Sequence, residues 1–176
     1  MEASPYAVVM GTESLDGLER FILGGKTTGA VKQLQSPLFI VPVDAKFTRI
    51  AKVGLACDLK KVIETVRVQE IKEFVNEFDA ELHVLNVSEN PDDILSSEAA
   101  EEADWLREIL GEMHPKYHFI TDPDIEHGVF DFAERKRLDL LIIIPKKHKL
   151  LSELFRPSHS RQLVLHTHVP VMSLHE

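Results

Sequence analysis

Short apolar runs alternate with segments of helical period along the whole chain. The strand candidates are YAVVM (6–10), LFIVPV (38–43), IAKVGLAC (50–57), ELHVLNV (81–87), YHFIT (117–121), LLIII (140–144) and VPVMSL (169–174). Between them, Ile63, Val66, Ile71, Phe74, Val75 and Phe78 recur at three-to-four spacing. So do Leu95, Ala99, Ala103, Leu106, Leu110 and Met113, and a shorter stripe runs through Ile125, Val129, Phe132 and Ala133. That spacing predicts amphipathic helices. Pro91 with Asp92 and Asp93 marks a helix start, and Asp124 is placed to cap the next helix. Strands that are apolar almost throughout, joined by helices, predict an α/β fold with a parallel sheet covered on both faces.

The pattern also repeats. AVVMGTESLDGLERFILGGKTTGAVKQLQSPLFIV (7–41) and LIIIPKKHKLLSELFRPSHSRQLVLHTHVPVMSL (141–174) each read as strand, polar loop, helix and a strand opening on proline. Pro37 matches Pro170 at an offset of 133 (170 − 37), as do Gly24 with Pro157 and Val31 with Val164. Gly11 aligns with Pro145 at 134, which implies one residue lost from the second copy. The expected organisation is the strand-helix-strand end of a first repeat over 1–47 and a complete repeat over 48–176. A strand-helix-strand alone would leave apolar edges open. The first copy is therefore read as cut from a longer tandem protein, the alternative being that it docks on the complete unit or on another chain.

Composition narrows the function. The chain has 176 residues, 44% of them hydrophobic and 28% charged, with a net charge of −9. That acidity argues against a nucleic-acid or anionic-membrane surface. No apolar run approaches the roughly 20 residues that span a bilayer, and the N-terminus lacks the features of a secretory signal. The single cysteine, Cys57, allows no internal disulfide. A cytoplasmic protein is expected.

The segment VVMGTESLDGLERFILGGKTTGAVKQLQSPLFIVP resembles the C-terminal motif of the universal stress protein family, which runs Gly, two residues, Gly, nine residues, Gly, then Ser or Thr. Gly11 matches its first position, Ser14 replaces the second glycine, Gly24 matches the third, and Gly25 stands where Ser or Thr is usual. KVGLACDLK is similar to the family's first strand, with Asp58 at the aspartate that ends it. ELHVLNV is similar to the second strand and LDLLIIIP to the fourth. The resemblance implies a five-stranded parallel, doubly wound sheet of order 3-2-1-4-5, the adenine nucleotide alpha hydrolase-like fold, with the extra strand-helix-strand before it. It places a site at the switch point between the first and fourth strands. In nucleotide-binding members the aspartate holds the adenosine end and the glycine loop cradles phosphates, because no Cβ may intervene there.

The complete repeat has lost that cradle. Pro145 stands at the first glycine, His148 at the second and Pro157 at the third, with Ser158 keeping a hydroxyl and Ser160 close by. The surrounding cations, Lys146, Lys147, His148, Lys149, Arg156, His159 and Arg161, offer side-chain anion contacts in place of a backbone nest. The candidate nucleotide contacts are therefore Asp58, Lys146, His148, Ser158 and Ser160, with Gly11, Gly24 and Gly25 in the first copy. The expected function is a non-enzymatic stress-response module acting through regulation or protein interaction, with no cofactor. Binding of ATP or another adenine nucleotide, with at most slow hydrolysis, is the alternative. The resemblance also implies pairing of last strands across a homodimer or between tandem domains, through 169–174 or 38–43.

Other groups read as structural. His166, His168 and His175 have no ligand-spaced partners, so no metal is expected. Cys57 reads as a small buried hydrophobe. Glu98, Glu101 and Glu102 read as the solvated face of a helix. Ser158 and Ser160 near His159 lack a G-x-S-x-G elbow, and no catalytic residue is assigned.

Overall fold

A computed structural model describes residues 5–12, 36–43, 45–46, 49–94, 96–144 and 168–174. The strands are β1 (Val8–Thr12), β2 (Leu38–Pro42), β3 (Lys52–Ala56), β4 (Glu81–Ser88), β5 (Lys116–Thr121), β6 (Leu140–Ile143) and β7 (Val171–Ser173). The helices are α1 (Val62–Thr65), α2 (Val68–Phe78), α3 (Pro91–Ile94), α4 (Ser97–Leu110) and α5 (Ile125–Lys136), with a 3-10 turn at Gly111–Met113. Every strand predicted from the apolar runs is present. The stretches 13–35 and 145–167, where helices were expected between β1 and β2 and between β6 and β7, lie outside the described residues.

The strands form one sheet of order β1-β2-β7-β6-β3-β4-β5. Within it, β7-β6-β3-β4-β5 is the expected five-stranded unit, all parallel. Alternation along each strand sorts the core into two layers. Leu141 and Ile143 of β6 and Leu85 and Val87 of β4 face Val129, Phe132 and Ala133 of α5. Leu140 and Ile142, with Leu82 and Val84, face Ile71, Phe74, Ala103, Leu106 and Leu110 of α2 and α4. Helices thus cover both faces, as the strands' composition demands.

β1 and β2 extend this sheet. β2 pairs antiparallel with β7, Phe39 opposite Met172, and β1 runs parallel to β2. The Val8 N–H donates to Pro37 O at 2.9 Å, and the Leu141 N–H donates to Pro170 O at 2.9 Å. The two donors, like the two prolines, stand 133 residues apart (141 − 8 and 170 − 37). This register corrects the alignment of Gly11 with Pro145: Gly11 occupies the position of Ile144, and the offset is constant through the strand. The matched positions differ in cover. Val9 is 68% exposed, whereas its counterpart Ile142 is fully buried in the layer beneath α2 and α4.

Local signals explain most boundaries. The Asp124 side chain accepts from the His127 N–H at 3.0 Å and caps α5, as expected. Pro91 starts only the single turn of α3; Ser96 caps α4 by accepting from the Ala99 N–H. The stripe predicted from Ile63 to Phe78 is broken. Val66 turns extended (φ −80°, ψ 119°) and ends α1, whose buried residues are Val62 and Thr65, while Ile63 is 62% exposed.

Candidate functional site

The switch point lies at the carboxyl ends of β3 and β6, which pair in parallel where the strand order reverses. β3 ends at Ala56, and Cys57 and Asp58 follow. The Cys57 N–H donates to Leu85 O at 2.9 Å, and the buried Asn86 amide donates to Cys57 O at 2.9 Å. These bonds fix the carboxyl end of β3 against β4. Cys57 is partly buried and forms no disulfide.

Past this point the chain makes a tight turn without glycine. Leu59 (φ 51°) and Lys61 (φ 53°) both take the left-handed conformation, one that costs a residue with a Cβ about 1 kcal/mol or more. The strain is held by carboxylates. Asp58 Oδ1 accepts the Lys60 N–H at 3.2 Å. Glu102, reaching across from α4, accepts the Lys61 N–H at 3.1 Å and the Val62 N–H at 2.7 Å. Buried Leu59 anchors the turn in the core. Three successive N–H groups in the turn after β3 are thus taken by the chain's own side chains. Glu102 is therefore not a solvated-face residue, as the helix pattern suggested: its acceptor pair replaces a cap that Lys61 cannot supply.

Asp58 is exposed and lies at the switch point, as anticipated. Gly11 is exposed at the end of β1, and a Cβ there would meet nothing within 4 Å. It sits four strands from β3 in the sheet order, so Gly11 and Asp58 do not form one site. Lys146, His148, Ser158, Ser160, Gly24 and Gly25 lie outside the described residues.

A second polar group stands at the carboxyl end of β5. His127 Nδ1 lies 2.7 Å from Asp122 Oδ2, and Asp122 Oδ1 accepts the Asp124 N–H at 2.9 Å. The hydrogen bond that His127 donates to Asp122, aided by the carboxylate's charge, raises the His127 pKa above the ordinary imidazole value. Burial works against the charged form of Asp122, but the Asp124 N–H and His127 outweigh it and lower its pKa. Among the described residues no three His, Cys, Asp or Glu side chains are grouped to hold a metal ion.

The model of the universal stress protein family matches residues 60–175. The chain belongs to that family. No curated protein matches it, but solved structures do. A universal stress protein from Archaeoglobus fulgidus DSM 4304 superposes with a TM-score of 0.63 at 17% identity, covering 97% of this chain and 61% of that one. A putative universal stress protein from Pseudomonas aeruginosa UCBPP-PA14 gives 0.62 at 15% identity, covering 97% and 63%. This universal stress protein chain thus spans less than two thirds of those relatives. The universal stress protein from Archaeoglobus fulgidus solved in complex with dAMP gives 0.52 at 17% identity, covering 70% of this chain and 97% of that one.

Proposed function

We propose that this universal stress protein chain is a non-catalytic module of the stress response, acting through regulation or protein interaction, with a degenerate nucleotide site in its complete repeat. The observation that carries the reading is the turn after β3. A ligand at a parallel-sheet switch point is held by backbone N–H groups at the strand ends. Here those of Lys60, Lys61 and Val62 already have acceptors in Asp58 and Glu102. Asp58 then serves as a turn-closing carboxylate. At the constant offset Ile144, Lys147 and Pro157 stand where the family pattern has glycines, and this adds to the reading. We place the module in the cytoplasm; no described helix is long and apolar enough to cross a membrane.

Residues 1–47 are read as the end of a sister repeat and 48–176 as the complete one. The constant 133-residue offset, the antiparallel β2–β7 junction and the greater length of the first relatives support this. Pairing of last strands is then intramolecular here, and takes place across a homodimer where a single repeat stands alone.

Adenine-nucleotide binding is the second reading. Its support is the dAMP complex of a relative matched over nearly all of its own length, together with the exposed position of Asp58. In a parent protein Gly11, Gly24 and Gly25 would serve the first repeat. In the complete repeat Lys146, His148, Ser158 and Ser160 would have to replace the glycine cradle. Nucleotide extracted from the freshly purified chain and identified by chromatography distinguishes the readings. The module reading expects none; a stoichiometric adenine nucleotide favours the second.

A further inference from the structure

The side of β4 and β5 that packs on α5 holds a polar chain that the switch point does not use. Lys116 Nζ lies 2.6 Å from Glu81 Oε2, Glu81 Oε1 lies 2.6 Å from His83 Nε2, and His83 Nδ1 lies 3.0 Å from His118 Nε2. His83 is only 4% exposed. The pairing register explains the meeting: His83 stands opposite Lys116 and Leu85 opposite His118, so the two imidazoles are diagonal neighbours on one face. Phe132 of α5 lies over both rings, 4.6 Å from His118 and 6.3 Å from His83 between centroids.

The partners dictate where the protons sit. The Glu81 carboxylate only accepts, so His83 Nε2 carries a hydrogen. In the neutral ring His83 Nδ1 is then bare, and His118 must donate to it through Nε2–H. One added proton enters at His118 Nδ1 and leaves every bond in place. A second, on His83 Nδ1, sets N–H against N–H at the 3.0 Å contact. The charged groups facing the pair are Glu81 on β4, Lys116 on β5, Lys52 on β3 and Lys136 on α5. Lys116 opposes proton uptake by both rings, Lys52 by His83 and Lys136 by His118, while Glu81 favours it at His83. Burial is the leading cause that lowers the His83 pKa, against the pull of Glu81. Burial also leads for His118, followed by His83, Lys136 and Lys116.

We propose that the His83–His118 pair is an acid-operated latch on β5, an edge strand of the sheet among the described residues. While the pair is neutral, the polar chain ties β5 to β4 beneath α5. Entry of both protons breaks the contact between the strands, frees β5 and bares the edge of β4 for pairing with another extended segment. The sign follows from linkage: the folded pair binds protons less readily than the opened one. Stability of the β4–β5 contact is therefore present above the ordinary imidazole value of 6.5 and is lost as pH falls below it.

The test is amide hydrogen exchange on the full chain at pH 7.5 and pH 5, corrected for intrinsic exchange rates. The latch predicts that Lys116–Thr121 amides lose protection ahead of those of β3 and β6. The loss should be about tenfold per pH unit for one proton and up to about a hundredfold for two. The paired substitution His83→Leu with His118→Phe should abolish that selective loss. β5 exchanging in step with β3 and β6 at both pH values would overturn the proposal, as would a selective loss that survives the paired substitution. Imidazole NMR of the unsubstituted chain gives an independent reading should that variant fail to fold. Titration of both rings below 6.5, coupled and accompanied by β5 opening, is expected; two independent titrations near 6.5 with β5 closed contradict the latch.

Discussion

The Glu102 carboxylate on α4 sits 2.7 Å from the Val62 backbone nitrogen and holds the head of α1 in place of a capping side chain. It joins residues 40 apart in the chain at the spot where the sheet opens. Glu102→Ala leaves the Lys61 and Val62 N–H groups without an acceptor, in a turn already strained at Leu59 and Lys61. The expected loss is about 1–2 kcal/mol, the range for removing a helix cap. Glu102→Gln, which keeps one carbonyl acceptor, should lose less. Urea denaturation of both variants checks the order.

The His127–Asp122 pair has the opposite pH sense to the His83–His118 pair. His127 is raised by Asp122, so its contribution is complete below 6.5 and is lost as pH rises through its elevated value. Asp122 is lowered, so its contribution is present above 3.8 and is lost as pH falls through its depressed value. The pair is fully charged between the two. Asp122→Asn should return the His127 titration toward 6.5, measured by imidazole NMR. An unshifted titration would mean that Asp122 does not set the His127 charge.

Gly128 is the reason that pair can pack. A Cβ there would lie 2.7 Å from Val87 Cγ1 and 2.9 Å from Asp122 Cβ. Alanine gains about 1 kcal/mol of helix propensity over glycine, but overpacking costs about 1–3 kcal/mol. The clash falls on a strand side chain and on a Cβ, neither of which can swing away. Gly128→Ala should therefore destabilise the chain by about 1 kcal/mol, seen as a lower urea midpoint. It should also disturb the His127 titration.

The strands were legible because each is a short apolar run closed by polar residues, and a doubly wound sheet buries such runs on both faces. The Asp124 cap was legible because it needs only its own first turn. The break after Val66 was not, since the apolar spacing runs on through it; what stops the helix is the extended conformation at Val66. Glu98, Glu101 and Glu102 look alike on a helical wheel, and only the packing of α4 beside α1 sets Glu102 apart. His83 and His118 could not be paired without the β4–β5 register, which apolar runs do not specify. Asp58 was found through a family resemblance, and its turn-closing bond emerged only with the backbone of 58–62.

The account turns on whether the switch point, with the N–H groups of Lys60, Lys61 and Val62 already taken, binds a nucleotide. The most direct measurement is calorimetric titration of ATP and of dAMP into this chain, with Asp58→Ala in parallel. The account predicts no saturable heat, a Kd weaker than about 1 mM, or less than about 4 kcal/mol of binding free energy. Saturable binding that Asp58→Ala weakens tenfold or more would contradict it, placing a working nucleotide site at the end of β3.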